Sequence, residues 1–84
     1  HYKGQNVNMI NKYKYRFSVE FVYSFDYKIK WYIYRNGQYY SSLVSENENE
    51  LLFQFEKEGE YTVSYYITTD LNEKFFFNYP VIKI

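Results

Sequence analysis

The sequence offers few side chains for catalysis or metal binding. It contains no cysteine, and its one histidine is His1 at the terminus. The absence of cysteine excludes disulfides and thiolate metal sites, and one terminal histidine makes us expect neither a histidine-based triad nor a histidine zinc site. General-base catalysis would need a lone Asp, Glu or Lys with a shifted pKa, and no pattern points to one. The three glycines form no phosphate-binding loop, and no serine stands in a nucleophile-elbow pattern. We therefore expect a protein that is not an enzyme and has no catalytic residue.

One acidic run has a spacing that could form a cation site. Glu46, Glu48 and Glu50 occupy alternate positions in the stretch 45–50. Carboxylate oxygens are ligands that Ca²⁺ prefers, so the three could line one edge of a strand. Short runs of charge are more typical of a solvated loop. We expect an exposed acidic loop here, with no metal and no cofactor.

Aromatic side chains are the better candidates for binding. The chain has 13 Tyr, 8 Phe and 1 Trp among its 84 residues. Four of these rings are predicted to point outward from a sheet, because side chains alternate between the two faces of a strand: Tyr32, Tyr34, Tyr66 and Phe76. Three roles remain open for them: packing against another domain or protein, stacking on sugars with help from Thr62 and Asn78, or stabilising the sheet through cross-strand pairs. Thr62, Ser64 and Thr68 are predicted to form a polar rim beside the rings.

The elements that would position these rings are strands. Apolar and polar residues alternate over 13–25, which predicts a long half-buried strand. Similar runs predict strands over 28–34, 51–55 and 61–69, a short edge strand over 41–45 and a short first strand over 6–10. Strand 74–84 contains Pro80, which lacks the N–H needed for a ladder, so we expect an edge strand or a bend there. Asn36-Gly37 predicts a type I′ hairpin turn.

A single phase of the alternation selects the core. Trp31 belongs to the inward set, and we assign it to the core and not to a ligand site. The residues of the inward set are predicted to be mostly buried: Phe17, Val19, Phe21, Ile29, Trp31, Ile33, Phe53, Phe55, Val63, Tyr65 and Ile67. Aromatic residues together with Val, Ile and Thr make up 37 of the 84 residues. This composition favours strands over helices.

Charge and composition limit the partners. Ten Lys and Arg balance ten Asp and Glu, so the formal net charge is zero. A protein without excess positive charge is not suited to binding nucleic acid or an anionic membrane surface. No segment reaches the length of a membrane span, so we expect no membrane insertion. The abundance of Lys, Asn, Tyr, Ile and Phe suggests an AT-rich bacterial genome. The start at His1 suggests a domain excised from a larger protein, a processed chain or a tag remnant.

Two segments resemble an immunoglobulin-like sandwich, and within it the PKD-type and triple-tyrosine-type modules of bacterial multidomain proteins. Trp31, in Lys-Ile-Lys-Trp-Tyr-Ile-Tyr-Arg-Asn-Gly, matches the core Trp of strand C. The run 53–67 resembles the Phe…Gly-x-Tyr-x-Val passage from strand E into strand F. The resemblance implies that Tyr61 is a corner tyrosine whose hydroxyl bonds back to the preceding loop. It also implies that strands C, F and G are neighbours, which would bring the four outward rings together.

The sequence thus predicts one domain over 1–84, an all-β, antiparallel immunoglobulin-like β-sandwich of about seven strands. The resemblance implies a non-catalytic accessory or interaction module, acting as a spacer or docking domain. Its partner would be a neighbouring domain of the same chain or another protein, and we expect no nucleic-acid partner. The alternative is a carbohydrate-binding module that uses the exposed aromatic rings on a glycan.

Overall fold

The structure, a computed structural model, describes residues 2–22 and 26–84. Within these ranges the chain forms eight strands and no helix. In chain order they are β1 (Tyr2–Asn11), β2 (Lys14–Phe21), β3 (Tyr27–Arg35), β4 (Gln38–Glu46), β5 (Glu50–Gln54), β6 (Glu60–Thr69), β7 (Lys74–Asn78) and β8 (Ile82–Lys83). With no helix in the described part of the chain, none is available there to span a membrane.

The strands form two antiparallel sheets that pack as a sandwich. One sheet has three strands in the order β1-β2-β5. The other has five strands, in the order β4-β3-β6-β7, with β8 pairing with β6 beside β7. The predicted all-β antiparallel sandwich is confirmed. The count exceeds seven because the last predicted strand is divided into β7 and β8 on either side of Pro80.

The core lies between the sheets and follows the predicted alternation. Nine of the eleven predicted core residues are buried, and Trp31 is fully buried, with its indole N–H donating to Ser45 Oγ at 3.2 Å. Phe21 and Phe53 were predicted to be buried but are only half-buried. Both pack against the core from its margin, because Phe21 ends β2 and Phe53 lies in the short edge strand β5.

Local signals set the hairpin between β3 and β4. Asn36 and Gly37 both have positive φ, 51° and 80°, as a type I′ turn requires. The Asn36 side chain also accepts a hydrogen bond from the backbone N–H of Glu60 at 2.9 Å. The turn is confirmed, and it is tied to the start of β6.

Several strand boundaries differ from those predicted. β1 covers ten residues where five were expected, because it pairs along the whole of β2. β4 is also longer than the predicted 41–45, since it pairs with β3 up to Glu46. The predicted strand 13–25 is observed as β2 up to Phe21, and its Tyr23 and Phe25 lie outside the described residues.

Hydroxyl groups of three buried tyrosines form hydrogen bonds to other segments of the sandwich. Tyr61 donates to the carbonyl of Lys57 at 2.6 Å, which confirms the predicted bond to the preceding loop. Tyr65 donates across the core to Oε1 of Gln5 on β1 at 2.7 Å. Tyr79, whose burial was not predicted, donates to the carbonyl of Ser18 on β2 at 2.7 Å. Burial raises the pKa of Tyr65 and of Tyr79, because a phenolate would lose its hydration there.

Candidate contact surface

The outer surface of the five-stranded sheet carries the predicted rings. Tyr32 on β3 and Tyr66 on β6 have their ring centroids 6.0 Å apart in an edge-on arrangement. Tyr66 lies directly opposite Phe76 of β7 in the register, and these centroids are 4.6 Å apart. Three adjacent strands therefore contribute one ring each to a continuous group, Tyr32, Tyr66 and Phe76, which we name the central cluster.

Tyr34 lies on the same surface but has a different partner. It is opposite Tyr39 of β4 in the register, and the two ring centroids are 6.4 Å apart. The two-residue turn at Asn36-Gly37 sets this pairing, and a register shift follows it between Tyr34 and Ile33. Tyr39 was not among the predicted site residues, although the Asn-Gly turn could have identified it, because a two-residue turn fixes which residues face each other. Together these five rings form what we call the outer aromatic face.

Exposure is uneven across this face. Tyr66 is 41% exposed, Phe76 48% and Tyr39 63%, while Tyr32 and Tyr34 are half-buried. The two half-buried rings lie on β3, which is flanked by β4 and β6. The rings most available to a partner are therefore Tyr39, Phe76 and Tyr66.

Polar groups border the central cluster. Lys30 Nζ lies 5.1 Å from the centroid of the Tyr32 ring, a cation–π contact. Hydrogen bonding with the Tyr32 hydroxyl raises the pKa of Lys30, so the ammonium form is favoured. A shallow depression of about 380 Å³ is lined by Lys30, Tyr32, Tyr66, Thr68 and Lys74. It combines aromatic surface, two ammonium groups and a hydroxyl.

The predicted polar rim is only partly present. Thr62 and Thr68 are half-buried on this surface and Asn78 is exposed. Ser64 was predicted to belong to the rim, and this prediction is wrong because the residue is buried, with 5% of its surface exposed. It sits in the register between Tyr32 and Asn78, whose larger side chains flank the small hydroxymethyl group.

The acidic run is dispersed. Glu46 belongs to β4 and forms an ion pair with Lys28 of β3 at 3.6 Å, so it is not part of a loop as predicted. Glu48 and Glu50 are exposed. Among residues 2–22 and 26–84, no group of three or more His, Cys, Asp or Glu side chains could hold a metal ion.

The opposite outer surface has a different chemistry. The β2 side chains opposite its buried ones are polar, and Arg16 and Glu20 among them are exposed. Glu20 accepts a hydrogen bond from the amide of Asn6 at 2.9 Å. Leu52 of β5 is 51% exposed beside Arg16 but has no exposed aromatic neighbour among the described residues. Clustered exposed rings are therefore a property of the five-stranded sheet.

Comparison with known proteins gives no relatives for this chain. No protein-family model, no curated protein and no solved structure matches it significantly.

Proposed function

We propose that this chain is a non-catalytic interaction module that binds a protein surface, such as a neighbouring domain, through its outer aromatic face. The observation that carries the proposal is the central cluster, in which rings from three adjacent strands meet at centroid distances of 6.0 and 4.6 Å and two of them stay exposed. Contiguous exposed apolar surface commonly marks a contact site.

The energy available at this face is sufficient for a specific contact. Tyr66 and Phe76 are 41% and 48% exposed, and a ring of this kind presents about 200 Å² when fully accessible. Covering the remaining area would contribute about 2 kcal/mol for each ring, using about 25 cal/mol per Å² of apolar surface. Two such residues are comparable to the few anchors that dominate natural interfaces.

The fold supports an accessory role of the immunoglobulin-like type. In the resemblance, strands C, F and G correspond to β3, β6 and β7. These three strands are neighbours in the order β4-β3-β6-β7. The Tyr61 hydroxyl bond to Lys57 also agrees with a corner tyrosine. Modules of this kind in bacterial multidomain proteins act as spacers and docking domains, and we propose the same place for this chain.

A carbohydrate-binding module is the second candidate. The depression beside Tyr66 favours it, because Lys30, Lys74 and Thr68 supply hydrogen-bond donors next to flat rings. Sugars are bound by stacking on aromatic faces combined with such polar contacts. The two candidates use the same rings and differ in what covers them.

Radical footprinting of the isolated domain and of the longer parent polypeptide that this proposal requires tests the first candidate. Tyr66 and Phe76 should be labelled several-fold less in the parent, whereas Leu52 on the opposite surface should be labelled equally in both. The double variant Tyr66→Ser/Phe76→Ser should weaken docking to the neighbouring domain and keep the fold. Leu52→Ser is the matched control, since it removes an apolar side chain of similar exposure.

Two results would count against domain docking. Equal labelling of Tyr66 in both proteins would show that nothing in the parent covers the face. Glycan-array binding that is lost in Tyr66→Ser/Phe76→Ser but kept in Leu52→Ser would favour the carbohydrate-binding candidate instead.

A further inference from the structure

The outer edge of β4 is free to form hydrogen bonds. β4 ends the order of its sheet and pairs only with β3 among the described strands. The backbone N–H of Asn47 donates to the carbonyl of Tyr27, which shows that this residue faces β3. Backbone groups of successive residues in a strand point to alternate sides. Ser42, Val44 and Glu46 therefore direct their N–H and C=O groups away from β3.

The other sheet edges are protected. β1 has register irregularities at both ends, after Tyr2 and after Met9, and β5 and β7 have five residues each. The edges of β1 and β7 also approach each other, since Gln5 Nε2 donates to the carbonyl of Asn78 at 2.8 Å. Irregularities, short length and covering side chains are the usual protections of an edge strand.

β4 has one irregularity, the register shift near Tyr39, but from Ser41 to Glu46 its pairing with β3 is regular and it lacks these protections. It has nine residues, and the segment 38–45 contains no charge, no glycine and no proline. Three of its exposed side chains are apolar or aromatic, with Tyr39 63%, Leu43 39% and Val44 58% exposed, and the other two are Gln38 and Glu46. The first charged residue, Glu46, is engaged by Lys28 at 3.6 Å. An uncharged edge of this length is suited to pairing with another strand.

We propose that the occupant of this edge is β4 of a second copy, paired antiparallel about a two-fold axis. The strand is complementary to itself in this arrangement. A two-fold axis at Leu43 places the outward backbone groups of Ser42 opposite those of Val44 in the second copy, so both sets are paired. The two Leu43 residues then form a non-hydrogen-bonded pair, the position in an antiparallel ladder at which facing side chains lie closest to each other.

Charge agrees with self-pairing in this register. The regular part of the strand pairs Ser41 with Ser45 and Ser42 with Val44 of the second copy, and none of these residues is charged. No like charges are therefore brought face to face. The formal net charge of zero adds no long-range repulsion between copies. The product is a continuous ten-stranded sheet that carries the outer aromatic faces of both copies side by side.

Pairing of a single edge buries less surface than a standard interface. Such interfaces bury roughly 1,200–2,000 Å² in total, so the dimer should be a weak one that forms at about 10–100 µM. Self-pairing is independent of what the outer aromatic face binds. The variant Tyr66→Ser/Phe76→Ser, which changes strands remote from this edge, should dimerise as the parent sequence does.

Sedimentation equilibrium of the isolated chain, from about 1 µM to about 1 mM, tests the proposal. The weight-average mass should rise from 10.5 kDa towards twice that value. Val44→Lys adds a charge at the edge, and Val44→Pro removes an N–H that points away from β3, a position where a strand tolerates proline. Both variants should stay monomeric at the highest concentration. Val81→Lys, at an exposed valine outside β4, is the matched control and should dimerise.

Amide exchange gives a readout specific to strand pairing. The N–H groups of Ser42 and Val44 should become protected only as the concentration rises, whereas that of Leu43, which faces β3, should be protected throughout. A chain that remains monomeric over the whole range would overturn the proposal. So would a dimer that survives in both Val44 variants, or one in which these two amides stay unprotected.

Discussion

The buried tyrosines make a prediction about stability in alkali. Tyr65 is fully buried and Tyr79 is 3% exposed, and burial raises the pKa of each above the ordinary value of a tyrosine. Unfolding releases both phenols to water, where they ionise near pH 10. Above that pH the unfolded state binds fewer protons than the folded state, so the free energy of unfolding falls as pH rises. Below pH 10 both states are protonated and the contribution is fully present.

The size of the effect follows from the number of such groups. Each phenol that stays protonated in the folded state lowers the free energy of unfolding by about 1.4 kcal/mol per pH unit above pH 10. Tyr65 and Tyr79 together should therefore lower it by about 3 kcal/mol at pH 11 and by about 5 kcal/mol at pH 12. A domain with a free energy of unfolding of about 5–15 kcal/mol would approach its unfolding midpoint within this interval.

Urea unfolding at a series of pH values, followed by the fluorescence of Trp31, measures the slope. The variant Tyr79→Phe should be less stable at neutral pH by about 1 kcal/mol, because its bond to the Ser18 carbonyl is lost. Its slope above pH 10 should be shallower than that of the parent, because one buried phenol is removed. Tyr39→Phe removes a hydroxyl from a ring that is 63% exposed and is the control. A free energy of unfolding that stays constant from pH 9 to about pH 12 would refute the reasoning, as would equal slopes in parent and Tyr79→Phe.

Two further predictions concern packing and backbone geometry. Trp31→Ala should cost about 3–5 kcal/mol by calorimetry, because a fully buried indole leaves a cavity; an unchanged thermal midpoint would contradict the core assignment. Gly59→Ala should cost about 1–3 kcal/mol, since Gly59 has φ of 151° and a Cβ there would lie 2.9 Å from Arg35 Nε. Gly4→Ala has the same φ but open space around the Cβ, so a smaller loss than at Gly59 is expected, and equal losses would show that the contact with Arg35 is irrelevant.

Local features of the sequence determined the strands and their faces. Alternation fixed which side chains of β2, β3 and β6 point inward, because successive residues of a strand must face opposite sides. Asn36-Gly37 fixed a turn, because only these residue types adopt positive φ at low cost. The outward positions of Tyr32, Tyr66 and Phe76 followed from the same period. These signals are local, so they can be interpreted without knowing the partner of any strand.

Only the tertiary structure decided how neighbouring strands and sheets meet. A register shift in the β3–β4 pair places Ser41, and not Tyr40, opposite Ile33, and Ser64 is buried although it points outward. Tyr79 lies in an irregular segment, and its buried hydroxyl donates a hydrogen bond to the Ser18 carbonyl of the opposite sheet. The free edge of β4 likewise exists only in the order of the assembled sheet. Each of these features depends on contacts between distant segments, which the period of a single strand does not encode.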